Sequence, residues 1–240
     1  MTVREFKLNL FNRLLQDLGR VRGSSASRIE CPICFSAFSR SALDSGNLTL
    51  EHIVPESLGG VTGTLTCRAC NNHLGSNADS RLVETLRALN RPSPRGASSA
   101  AERFPFRDIQ PSVLKSAYLA VFHEKGYAQI LSPAFDPIRE SLRGVLPAPQ
   151  CLDSLFSWNL EPATDVRDEF HIRESADYSE PAWIVTLRLK RKTVRACAVI
   201  LPRADSDVGR LVAEVAKVRR EVSPRVREQM KKEEGRFETA

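Results

Sequence analysis

The sequence predicts an α+β protein. A small zinc-stabilised ββα module comes first, and a mixed helical and β-strand C-terminal domain follows it. Three observations predict this. Two Cys-x-x-Cys pairs, Cys31 with Cys34 and Cys67 with Cys70, bracket one short segment. Apolar residues recur at helical spacing in residues 3–20 and again in 111–125. Beyond Leu152 the pattern changes to strand-like alternation. These signals divide the chain into an N-terminal helix and linker (1–30), the cysteine-bracketed module (31–90), a linker (91–110) and an α+β domain with a charged helical tail (111–240).

The first helix is read from Phe6, Leu10, Leu14 and Leu18 at every fourth position, with Phe11 and Leu15 widening the stripe. Gly19 and Gly23 favour its end. Arg4, Lys7, Arg13 and Arg20, with Arg22 and Arg28 after them, make this arm basic. A helix of this pattern packs through its stripe and leaves the charges in water, which is favoured over a phosphate-gripping role.

The thiols set up the module. A structural zinc site takes tetrahedral ligands, often as two Cys-x-x-Cys knuckles. Two such pairs flanking one segment are a strong signal, where one alone is weak. The other reading is cysteines without metal, reduced or paired as disulfides. No signal peptide is visible, so disulfides are disfavoured and a soluble cytoplasmic protein is expected.

Between the knuckles, Leu48, Leu50 and Ile53 belong to a strand that Pro55 ends. Glu51 and His52 are neighbours, so an extended strand directs them to opposite sides, and a local bend is needed to bring both to one site. Gly59 and Gly60 signal a turn, and Leu65 with Thr66 form a short return strand. Asn71 and Asn72 are placed to cap a helix running toward Leu89. Leu82, Val83, Leu86 and Leu89 are its apolar face.

Two strings, Glu-His-Ile-Val-Pro at 51–55 and Cys-Asn-x-x-x-Gly at 70–75, resemble those of the HNH endonucleases. Residues 31–79 are most similar to the four-cysteine branch, whose Cys-x-x-Cys pairs brace a ββα-metal fold. The resemblance implies that Cys31, Cys34, Cys67 and Cys70 hold structural zinc. It implies that His52 is the general base that deprotonates a water for attack on phosphorus. Glu51 and Asn71 would hold a catalytic divalent cation, Mg2+ or Mn2+, and Gly75 would close the first helical turn. The substrate implied is nucleic acid, most simply DNA, cut to a 5′-phosphate and a 3′-hydroxyl.

The residue chemistry agrees with that implication. A neutral imidazole accepts a water proton near pH 7. A hard cation held by few protein oxygens keeps positions open for phosphate and water. Carboxylate and amide oxygens suit such a cation, while thiolates suit zinc, so the two metals sort between two sites.

The sequence departs from the family in two places, and the second ligand has alternatives. The family's middle Asn, which braces the loop after the Gly-Gly turn, is missing: residues 61–66 read Val-Thr-Gly-Thr-Leu-Thr, leaving Thr62 or Thr64 as a hydroxyl brace. The acidic ligand is Glu rather than the commoner Asp. Asn72 or His73 is an alternative to Asn71 as the second ligand, although His73 reads best as an exposed helix residue.

The remaining segments give less. Residues 91–103, rich in Pro, Gly, Ser and Arg, read as a linker. Residues 111–125 read as a helix that Gly126 stops, with His123 as a capping or surface residue. Pro133 and Pro137 bound short turns, and a helix starts near Asp136. Strands are expected at 170–173, at 182–189 and at 194–201, the last evenly apolar and therefore central. Arg188, Lys190, Arg191, Lys192 and Arg195 cluster where the last two strands connect, which suits either phosphate contact or simple solubility. His171 reads as structural, and Cys151 and Cys197 as ordinary buried thiols. Residues 207–232 read as a charged, solvated helix.

The 240-residue chain has a net charge of +6 and a pI near 9.2, which suits a polyanionic partner, and no apolar run approaches membrane-spanning length. Two competing readings stay open. One is a catalytically inactive, zinc-dependent nucleic-acid-binding protein. The other is a protein in which zinc only holds the fold.

Overall fold

The computed structural model describes residues 2–89, 109–144, 156–157, 168–176, 178–190 and 194–217. The chain is mixed helix and strand, as the sequence predicts. Helix α1 spans Val3–Arg22 and buries Leu10, Phe11, Leu14 and Leu18. A capping box opens it: the Thr2 hydroxyl accepts from the Glu5 amide, and the Glu5 carboxylate accepts from the Thr2 amide. Gly23 closes it at φ 64°, a conformation that strains any residue bearing a side chain. Gly19 lies inside the helix rather than at its end.

Two small hairpins follow. Strands β1 (Ile29–Glu30) and β2 (Ala37–Phe38) flank the first cysteine pair and run antiparallel. Helix α2 (Ser41–Asp44) leads to β3 (Leu48–His52). β3 pairs antiparallel with β4 (Gly63–Cys67), in unbroken register from Leu48↔Cys67 to His52↔Gly63. Helix α3 (Arg68–Leu74) starts one residue after β4 because Cys67 is its cap, with extended backbone and a sulfur that accepts from the Cys70 amide. Asn71 and Asn72 therefore sit inside the helix, and the capping role expected of them belongs to Cys67. A π-helical turn (Gly75–Asp79) links α3 to α4 (Ser80–Leu89), so Gly75 marks a change of helix type.

Helix α5 (Gln110–Lys125) is buried over most of its length, including Val113, Leu114, Ala117, Tyr118, Val121 and Phe122. Gly126 ends it at φ 72°, where an added Cβ would lie 2.2 Å from the Asp17 carboxylate. Short helices α6 (Tyr127–Ile130) and α7 (Asp136–Leu142) follow, the latter starting at the expected Asp136. A four-stranded antiparallel sheet has the order β5-β8-β7-β6. Its strands are β5 (Phe156–Ser157), β6 (Phe170–Glu174), β7 (Ala182–Lys190) and β8 (Val194–Pro202). The evenly apolar β8 is central, as predicted. A final helix, α8, covers residues 208–217 and buries Leu211 and Val215. His171 is exposed on β6, and Cys197 is buried, its thiol pushed up to about 12 by burial. The linker 91–103, the hairpin tip 191–193, Cys151 and the helix expected beyond 217 lie outside the described residues.

Helix α5 positions the site. It packs on the π-helical turn and α4, and on β6, β7 and β8. Buried residues of the ββα module, α5 and the sheet form one contiguous cluster. Polar bonds tie the first cysteine knuckle to the helices. The Tyr118 hydroxyl donates to the Pro32 carbonyl at 2.5 Å, and that of Tyr127 donates to the Glu30 carbonyl. The Arg139 guanidinium lies 4.4 Å over the Phe35 ring.

Candidate functional site

The four knuckle sulfurs converge. The Sγ atoms of Cys31, Cys34, Cys67 and Cys70 all lie within 4.8 Å of one another, and those of Cys34 and Cys67 are 3.7 Å apart. A tetrahedron with zinc–sulfur bonds of about 2.3 Å has edges of about 3.8 Å. The cluster fits zinc. Backbone amides support it: the Cys67 amide donates to Cys31 Sγ and the Cys70 amide to Cys67 Sγ, each at 3.4 Å. Bonding to the Cys31 thiol is the main cause that holds Cys34 down to about 4 and Cys67 down to about 6. The same thiol contacts push Cys31 up. Thiolates are the ligand form.

The β3–β4 hairpin stands on this centre and carries the predicted catalytic residues. His52, the last residue of β3, keeps part of its surface in solvent. Glu51 is turned into the protein and is only 4% exposed. β3 carries no bulge, since its pairing runs unbroken through Glu51↔Thr64 and His52↔Gly63. Asn71 reaches from α3 to β3, its amide donating to Thr49 Oγ1 at 2.9 Å and to the Leu50 carbonyl at 3.0 Å. With both amide hydrogens engaged, Oδ1 remains as its acceptor. Asn72 and His73 are exposed on α3, and His73 Nδ1 pairs with the Asn77 amide at 3.1 Å.

The partner of Glu51 is a residue that the sequence reading passed over. Lys115 of α5 is fully buried, and its Nζ lies 2.6 Å from Glu51 Oε1 and 2.6 Å from Asp79 Oδ2. The Ser112 hydroxyl donates to the other Asp79 oxygen at 2.6 Å. Burial alone would lower the Lys115 ammonium pKa, but the charges of Asp79 and Glu51 outweigh it and hold it above the ordinary lysine value. The signal was present in the sequence: Lys115 interrupts an otherwise uncharged run, 113–122, on a helix apolar nearly all round.

The donor set fits a hard divalent cation in chemistry. Glu51 and Asn71 offer oxygen ligands on the same hairpin-and-helix unit. Thr64 Oγ1, across the hairpin from Glu51, is buried without a hydrogen-bond partner among the described residues. Lys115 bonds Glu51 through Oε1.

Residues 31–87 match the family model of the HNH endonucleases. No curated protein and no solved structure gave a significant match. The matched segment is about a quarter of the 240-residue chain and contains both knuckles, the hairpin and α3. Lys115 lies outside this matched segment, and so do Ser112, Tyr118 and Glu169, which also bond to it. No helix of the described residues is long and apolar enough to cross a membrane.

One more imidazole bonds the backbone of Gly63, the residue paired with His52. His123 of α5 is half-buried rather than a surface cap, and its Nδ1 lies 3.3 Å from an Arg13 guanidinium nitrogen. Burial, and then the Arg13 charge, hold its pKa below the usual histidine value. Its ring meets the Phe170 ring edge-on at 6.0 Å.

Proposed function

We propose that the protein is a metal-dependent endonuclease that hydrolyses phosphodiester bonds in DNA. The observation that carries this reading is the HNH match over residues 31–87, the segment that holds Glu51, His52 and Asn71. His52 is the general base. As a neutral imidazole at the solvent-facing end of β3, it accepts the proton of the attacking water. Glu51 and Asn71 hold the catalytic cation, Mg2+ or Mn2+. When bound, that cation neutralises charge at the phosphoryl and leaving oxygens. Asn71 also lashes α3 to β3 through Thr49 and Leu50, which fixes the spacing between helix and strand. The four cysteines hold structural zinc beneath the hairpin. In-line attack leaves a 5′-phosphate and a 3′-hydroxyl. The net charge of +6 suits the polyanionic substrate.

A second reading is a zinc-dependent nucleic-acid-binding protein without cleavage. The buried contact between Lys115 and Glu51 favours it, because an ammonium already neutralises the acidic ligand. One experiment separates the two. Supercoiled plasmid and single-stranded DNA are incubated with wild type and His52→Ala in Mg2+ or Mn2+. Cleavage by the wild type that vanishes in a folded, zinc-loaded variant supports the nuclease. Binding without cleavage by either protein supports the second reading. Equal cleavage by both excludes His52 as the base.

A further inference from the structure

The loop of residues 53–62 leaves β3 directly after His52 and returns to β4 directly before Gly63. It is closed by Ile53 donating to the Thr62 carbonyl at 3.0 Å and by Gly60 donating to the Pro55 carbonyl at 3.3 Å. Three of its amides converge on one carboxylate. Val54 donates to Glu169 Oε1 at 3.1 Å, while Val61 and Thr62 donate to Oε2 at 3.0 and 2.7 Å. Converging backbone N–H groups form an anion cradle, and bonds to a charged acceptor are roughly twice as strong as neutral ones. One carboxylate thus grips the outgoing and returning limbs of the loop together.

Glu169 is itself well placed to hold them. Its carbonyl accepts from the Arg188 amide at 2.9 Å, and the next residue, Phe170, begins β6 in register with Leu187. The loop also leans on β7, since a Cβ added at Gly59 would lie 3.1 Å from Lys190 Cβ. The segment 61–66 has no asparagine to brace the loop from within, and the Thr64 hydroxyl has no partner among the described residues. The brace is supplied from the sheet.

We infer that Glu169 is a positioning residue for cleavage: its carboxylate sets the loop, and through it the placement of His52. The inference rests on the nuclease reading for its effect on cleavage, but not for its effect on the loop. Ile53, Val54 and Leu58 are fully buried, so apolar packing keeps the fold when the carboxylate is removed.

The test uses the full chain as wild type, Glu169→Gln and Glu169→Asp. Zinc content and thermal midpoint report the fold. Amide exchange of Val54, Val61 and Thr62 and the His52 ring resonances, all by NMR, report the loop. DNA affinity and single-turnover cleavage at saturating enzyme report function. Glu169→Gln is expected to keep its zinc and to bind DNA within about twofold of wild type. Its three amides should exchange at least tenfold faster, the His52 ring resonances should shift, and cleavage should slow at least tenfold. Glu169→Asp, which keeps the charge, should recover part of that rate. Unchanged exchange in Glu169→Gln overturns the clamp. Faster exchange with a wild-type cleavage rate overturns the positioning role. Zinc, binding and cleavage lost in parallel mean a structural brace only, and overturn it too. If the wild type itself cleaves nothing, the nuclease reading fails, and exchange with the His52 ring resonances decides alone whether Glu169 sets the loop.

Discussion

Lys115 Nζ lies 2.6 Å from Oε1 of Glu51, and the lysine side chain is wholly buried. Asp79 Oδ2 is at the same distance on the other side, so one ammonium stands between two carboxylates from β3 and the π-helical turn. Breaking a buried ion pair from one side is costly because it strands charge in the interior, about 3–5 kcal/mol.

Lys115→Ala is therefore expected to lower stability by about 3–5 kcal/mol, read as a fall in the urea midpoint. Replacing the whole set, with Lys115→Met, Glu51→Gln and Asp79→Asn together, should recover most of that loss, since no charge is then stranded. A Lys115→Ala protein within about 1 kcal/mol of wild type would show that water reaches the carboxylates.

Zinc removal should unfold the module. Purified protein is expected to carry about one zinc per chain, as four thiolates predict. Cys67 is a member of the sulfur cluster, and Cys67→Ser keeps a capping oxygen for α3, so the variant should lose zinc and, with it, the module's share of the far-ultraviolet helix signal. A metal-free preparation with native circular dichroism would remove zinc from the account.

Tyr118→Phe tests the bond between α5 and the first knuckle. Its hydroxyl donates to the buried Pro32 carbonyl, and the ring is fully buried. Without that donor the carbonyl is unsatisfied, a loss of about 1–3 kcal/mol. The variant should also release zinc to a chelator faster than wild type, because Pro32 lies between Cys31 and Cys34 in sequence. Identical release rates would mean that the knuckle holds its shape without α5.

His123 gives stability a pH dependence. Its folded pKa is lowered, chiefly by burial and then by Arg13, so the unfolded chain binds the proton more readily. The stabilisation is fully present above the ordinary histidine value of about 6.5 and is lost as pH falls through the lower folded value. Arg13 donation to Nδ1 requires that nitrogen to be free of a proton. Urea midpoints of wild type should drop more steeply from pH 7 to pH 5 than those of His123→Gln. Parallel curves would place the ring in contact with solvent.

Local signals were legible in the sequence. Cys31 and Cys34, like Cys67 and Cys70, are close in sequence, and a two-residue spacing is itself a ligand geometry; the four sulfurs met as expected. The α1 stripe, the stop at Gly126 and the strands around Trp183 and Val199 follow from periodicity and glycine, which act over a few residues. The start of α3 was misplaced for a related reason. Asn is a strong cap by type, but the sulfur of Cys67 reaches the Cys70 amide first, and cysteine is seldom read as a cap.

The tertiary structure decided what meets the site residues. Glu51 is paired with Lys115, 64 residues away, and the loop after His52 is held by Glu169, up to 115 residues away. No spacing rule links such positions, because their meeting depends on how α5 and β6 pack against the hairpin. The sequence determined the module, its four clustered thiols and the types of its polar groups. Only the packing of the rest of the chain determined which charges those groups face and what holds the loop beside His52, since electrostatic partners in an interior are set by distance in space and not along the chain.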